Sequence, residues 1–113
     1  MNLEALREFC LQFPGATEQV QWGADLLFKV GGKMFAITGL EGPFHLSLKT
    51  TPEMFAELIQ RPEVAPAAYL GRHHWIAIHS ETAVPAREFK ELITLSYELV
   101  RAKLPKNVLK SLG

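Results

Sequence analysis

Cysteine, net charge and long apolar runs are what this chain has least of. A single thiol, Cys10, leaves no intramolecular disulfide to form, so nothing in the sequence asks for an oxidising compartment. Lysine plus arginine number 12 and aspartate plus glutamate 12, a formal net charge of zero. That balance argues against a strongly polyanion-binding domain. No apolar stretch approaches the roughly 20 residues of a membrane-spanning helix, so no membrane partner is expected. The first residues, Met1-Asn2-Leu3-Glu4, lack the basic start and apolar core of a signal peptide. The expected location is cytoplasmic.

Several catalytic signatures are missing too. Gly31-Gly32-Lys33 invites comparison with a phosphate-binding loop, but Met34 stands where a hydroxyl residue belongs and the pattern after it is that of a strand. His45, His73, His74 and His79 match no closed zinc spacing and have no cysteine support. His73 and His74, on a strand, would point to opposite faces. There is no G-x-S-x-G and no cysteine–histidine pairing cue. Cys10, flanked by Phe9 and Phe13, reads as a buried apolar residue. Ser96, on the apolar side of a helical pattern, reads as a small packing residue with its hydroxyl bonded back to the chain. No catalytic residue, metal or cofactor is expected, and an enzyme is not the expected class.

What is present is a hairpin-rich centre. A chain of 113 residues, 48% of them hydrophobic, has the size and composition of one globular domain, residues 1–113. Leu26, Phe28 and Val30 alternate with Leu27 and Lys29, the period of a strand. Gly31-Gly32 suits a two-residue turn with positive φ at both positions. That turn sets Val30 opposite Lys33, Phe28 opposite Phe35 and Leu26 opposite Ile37. After Gly39–Pro43, a third strand places Phe44, Leu46 and Leu48 on one face and His45, Ser47 and Lys49 on the other. The face away from the core would then carry Lys29, Thr38, His45, Ser47 and Lys49.

Helical patterns flank this centre. Asn2 caps a first helix with Leu3, Leu6, Phe9, Cys10 and Phe13 on its apolar side, ended by Pro14-Gly15. Residues 16–25 alternate in no clear way and read as a connector. Thr51-Pro52 starts a second helix, stopped at Arg61-Pro62. A short strand is expected near Ala68–Leu70, a turn at Gly71-Arg72-His73, and a strand over His74–His79. Pro85 opens the last long helix, to about Leu104, and residues 106–112 add a short helical turn. The expected fold is therefore α+β: two layers, an antiparallel sheet of about five strands against helices, in the order α-β-β-β-α-β-β-α.

Lysines on an open sheet face with aromatics nearby could hold phosphates and stack on bases. The plainer reading is a solvated face, since antiparallel sheets commonly have one wet side. Arg101, Lys103, Lys106 and Lys110 crowd the last residues without an acid among them. They read most simply as solvated, though they could form a local positive patch.

Several pieces together carry a resemblance. These are Pro14-Gly15-Ala16-Thr17-Glu18, Trp22-Gly23, the run from Phe28 to Ala36, Leu48-Lys49 with Pro52-Glu53, His74-Trp75, and Ser96-Tyr97-Glu98-Leu99-Val100 with Lys103-Leu104-Pro105. In order and spacing the chain resembles the MmcQ/YjbR family over nearly its whole length. The resemblance implies a fold like that of secretion chaperones and, broadly, frataxin-like proteins, a double-wing DNA-binding motif, and neither catalytic activity nor cofactor. The nucleic-acid-binding positions it implies are Lys29, Lys33 and Lys49 in the sheet and Arg72, His74 and Trp75 in the later hairpin. Three functions follow as expectations. The first is a DNA-binding module. The second is a protein- or peptide-binding adaptor, homodimeric in one form, using the exposed sheet face. The third is an enzyme or small-ligand protein using a cleft near Trp22, Trp75 and His74.

Overall fold

Capping residues and glycine turns divide the chain into its elements. A computed structural model describes residues 1–112. Helix α1 (Leu3–Leu11) starts where Asn2 Oδ1 accepts the Ala5 N–H at 2.9 Å. Helix α2 (Pro52–Leu58) starts where Thr51 Oγ1 accepts the Met54 N–H at 3.2 Å, with Pro52 in the first turn. Helix α3 (Ala86–Arg101) follows Pro85, and α4 (Lys106–Leu112) follows Pro105.

Among the described residues six strands make one antiparallel sheet. They are β1 (Ala16–Gln21), β2 (Asp25–Val30), β3 (Lys33–Gly39), β4 (Leu46–Lys49), β5 (Val64–Pro66) and β6 (Trp75–Ile78), laid side by side as β1-β2-β3-β4-β6-β5. The helices pack on one face, α3 across β3 and β4 and α1 against β1. The two-layer α+β class is as the sequence indicates. The strand count is six rather than five.

The Gly31-Gly32 turn forms as expected. Its φ values are 56° and 81°, and Val30 lies opposite Lys33. Gly31 is required twice over, because a Cβ there would also meet Leu104 Cδ1 at 2.7 Å.

Four expectations need correction. Residues 16–21, read as connector, form the edge strand β1, which borrows its order from its pairing with β2. The strand expected at 68–70 lies earlier, at β5. Tyr69 has φ 64°, a left-handed conformation that ends extended structure, and a 3-10 turn over Gly71–His73 follows. The long helix stops at Arg101, and a turn leads to α4.

The fourth correction concerns register. Lys29 pairs with Met34 but Phe28 pairs with Ala36, so Phe35 is an extra residue in β3. This bulge turns Phe35 and Ala36 both toward the helices. It also reverses the faces beyond it. Ile37, expected beside Leu26 in the helix-side core, lies on the opposite face. Thr38, expected on the open face, is 1% exposed between Leu26 and Leu46, and its hydroxyl donates to the His45 carbonyl at 2.8 Å.

The helix-side core centres on Phe28, Phe35, Leu48, Ile76, Phe89 and Ile93. Tyr97 stacks on Phe13 with ring centroids 4.4 Å apart and donates its hydroxyl to the Pro14 carbonyl at 2.6 Å. Cys10 is fully buried there, and burial pushes its thiol up to about 12. A second cluster, Leu27, Ile37, Ala67, Trp75 and Ala77, lies on the other face, with Met34 and Leu70 packed against it.

Candidate functional site

Two concavities adjoin, one where the second face meets Val100 and Leu104 of the helix side and one on the second face itself. The first is a cavity of about 470 Å³ whose wall includes Lys33, Lys49 and Lys103 together with His73. Lys49 is placed by strand alternation: Leu46 and Leu48 point into the core, so Ser47 and Lys49 point away. Its backbone is held from beneath. The Lys49 N–H donates to Ser96 Oγ at 2.9 Å, and that hydroxyl donates to the Phe35 carbonyl at 2.6 Å. Ser96 is fully buried. Its hydroxyl bonds to the chain as expected, and the two bonds join the bulge of β3 to the end of β4.

No carboxylate lines this cavity among the described residues. Burial lowers the pKa of Lys49, and the nearby charge of Lys103 lowers it further. Such a group of cations lacks a counter-charge of its own, and an anion entering would supply one.

The second concavity is a groove of about 800 Å³. Its wall includes Ile37, Ala67 and Ala77, with Trp22 and Tyr69 beside them. Asp25, His45, Ser47 and His79 bring hydrogen-bonding groups to it. His45 Nε2 lies 3.7 Å from Asp25 Oδ1, close enough for attraction but too long for a hydrogen bond. Gly39 makes room for the imidazole, since a Cβ there would sit 2.6 Å from Nε2. Met34 and Leu70 line both concavities.

The expected site residues divide. Lys33, Lys49 and Trp75 meet at the cavity. Trp75 is only 6% exposed, so its ring is packed within the second cluster and is closed to base stacking. Lys29 lies apart, its Nζ donating to Gln19 Oε1 at 2.8 Å. Arg72 is exposed on the 3-10 turn, and its neighbour His73 rather than Arg72 reaches the cavity. His74 is committed to the scaffold. It closes the turn at φ 66°, its ring meets Phe55 edge-on at 5.6 Å, and its carbonyl accepts from the Thr50 N–H and hydroxyl.

Lys103 was legible only as one of a solvated terminal group, yet it completes the cation cluster. The cleft expected near Trp22, Trp75 and His74 exists with Trp22 but with Tyr69 and His45 as its companions. Among the described residues no group of three or more histidine, cysteine, aspartate or glutamate side chains could hold a metal ion. No described helix is long and apolar enough to cross a membrane.

Comparison with known proteins gives concordant matches. The family model described as YjbR matches residues 11–99. The Escherichia coli K12 protein YjbR is 32% identical over 117 residues, covering 99% of this chain and 98% of its own. The protein YbdF of Escherichia coli O157:H7 is 27% identical over 101 residues, covering 86% of this chain and 82% of its own. The crystal structure of a Deinococcus radiodurans protein with the domain DUF419 superposes with a TM-score of 0.89 at 36% identity, covering 99% of this chain and 88% of that one. A Pseudomonas syringae protein of known structure has a TM-score of 0.75 at 22% identity, covering 88% and 99% respectively, a likeness of fold.

Proposed function

The chain belongs to the YjbR family, and we propose that it binds nucleic acid by the phosphate backbone, held at the lysine-lined cavity. The observation that carries this reading is the meeting of Lys33, Lys49 and Lys103 around one cavity whose wall has no carboxylate. Lys49 is partly desolvated, and a cation in that state without an acidic partner favours an anion more than a solvated one does. The Gly31-Gly32 turn leads into Lys33, and the segment after Tyr69 brings His73 to the same cavity. Two such projections suit a double-wing motif. A cytoplasmic location goes with this role. Lys29 and Arg72 extend the proposed surface outward, and neither is needed to hold the first phosphate. The chain's zero net charge sets an expectation of modest affinity.

Fluorescence anisotropy of labelled DNA across a salt series tests the proposal. Three phosphate contacts predict a slope of log K against log salt of about −2 to −3, and Lys49→Ala should reduce it by about one contact. Binding that ignores salt, or none at low salt, would sink the proposal.

A second reading, a protein- or peptide-binding adaptor, draws support from β1. It is an edge strand with Val20 56% exposed, and an extended segment or a second copy could add to such an edge. Analytical ultracentrifugation showing a monomer at high concentration would remove the homodimeric form of it.

A further inference from the structure

We infer that the aromatic groove and the lysine cavity act as one surface, the groove taking unpaired bases of a single-stranded nucleic acid whose phosphates lie on the lysines. This rests on the phosphate-binding reading above and adds what is read beside the phosphate.

The two concavities adjoin, the groove on the second face and the cavity where that face meets Val100 and Leu104. Met34 and Leu70 belong to both walls. Ser47 in the groove and Lys49 in the cavity are alternate residues of β4, on the same face and about 7 Å apart along the strand.

The backbone supplies the second argument. Trp22 and Tyr69 have φ of 54° and 64°, and they are 63% and 96% exposed. Bulky residues are outliers in this left-handed region, where glycine or asparagine fits without strain. Rings so exposed return little burial to the fold, so their stability does not explain their presence. Strain of this kind, held at the rim of a groove, points to contact with something outside the chain.

The groove's chemistry names the ligand class. No lysine or arginine lines it among the described residues, so the charge sits next door. What remains is an apolar wall, two exposed rings, and Asp25, His45, Ser47 and His79 as a hydrogen-bonding border. A flat, uncharged body with donors and acceptors along its edge is a nucleobase. A base paired within a duplex cannot present its face, whereas one in a single strand can stack on an aromatic ring.

The test compares a labelled oligo(dC) of about eight nucleotides with an abasic strand of equal length and charge, and with a duplex. The oligo(dC) should bind at least about tenfold more tightly than the abasic strand, a gap that stacking of one base can supply. Trp22→Gly or Tyr69→Gly should close most of that gap while leaving the melting temperature unchanged or raised. The part of the tryptophan emission that Trp22→Gly removes should be quenched by oligo(dC) and not by the abasic strand. Equal binding of the two strands, or tighter binding of the duplex, overturns this inference and leaves the backbone reading standing. Failure of every strand to bind at low salt overturns both. A dimer formed without nucleic acid and abolished by Tyr69→Gly would give the groove to a second copy and overturn it as well.

Discussion

The two faces of the sheet are made by the same strands and buried by different means. On one face helices cover Phe28, Phe35, Leu48, Ile76 and Phe89, and side chains there are fully enclosed. The buried polar groups on that side each have a partner, Thr38 to the His45 carbonyl and Ser96 to Phe35 and Lys49. On the other face the cover includes Ala67 and Leu70 of the segment after β5, packed with Ile37, Trp75 and Ala77. There the chain leaves cations close together, aromatic rings exposed and backbone in left-handed conformations. Packing explains the helix-covered face almost residue by residue. It explains less of the other, and that contrast is the ground for proposing a functional surface where burial is incomplete.

Paired truncations test the contrast most strongly. Leu48→Ala on the helix side should cost about 4 kcal/mol and Ile37→Ala on the opposite side about 2 kcal/mol, because the latter site opens toward a groove and leaves a smaller enclosed void. Urea denaturation measures both. Equal losses would mean that the groove face is as fully packed as the other, and the comparison would fail.

Ser96→Ala should have the next largest effect. It strands the Phe35 carbonyl and the Lys49 N–H in a buried place, at a cost of about 1–3 kcal/mol. Nucleic-acid affinity of the folded variant should fall as well, since Lys49 loses its backbone support. A stability loss with unaltered affinity would separate the bridge from the site.

The smallest effect lies at the edge of the sheet. Arg7 donates to Glu18 from Nε at 2.9 Å and Nη2 at 2.6 Å, tying α1 to β1. The hydrogen bond from Arg7 holds the Glu18 carboxyl below its ordinary 4.5, against an opposing push from partial burial. A depressed carboxyl contributes stability above its unfolded value and loses it as pH falls through the folded one. Unfolding measured from pH 6 down to about pH 3 should therefore show a small acid loss that Glu18→Gln flattens. The pair is open to solvent and screened by it, so the difference should be the smallest of those compared. An identical acid slope in the variant would show that the pair does nothing for stability.

Where sequence and structure agree, local chemistry decides. The Gly31-Gly32 turn, the Asn2 and Thr51 caps and the apolar face of α3 each follow from a few adjacent residues. Where they part, distant contacts decide. Strand β1 has only Ala16 and Val20 as apolar residues, so alternation is invisible until β2 pairs with it. The bulge at Phe35 carries no glycine to mark it, and the hydroxyl that accommodates it lies 61 residues away. The candidate site divides the same way. Lys33 and Lys49 were visible on strands, but Lys103 joins them only because the chain after α3 returns beside β4. The groove was half legible through Trp22, while Tyr69 reads as part of a short strand until its left-handed backbone angle is known.

The Ser96 bridge has one more consequence. The Ser96 hydroxyl ties the backbone of Lys49, already paired with Trp75, to α3, and the chain leaves that helix two residues before Lys103. The point at which the chain is delivered to Lys103 is therefore set by the length of α3 between Ser96 and Arg101. One residue inserted between Ser96 and Arg101 would turn everything downstream by about 100°. Lys103 would swing away from the cavity while Lys49 stayed in place. Helix α3 thus serves as a caliper, with Ser96 as its fixed jaw and Lys103 as the one whose setting is written in residue count.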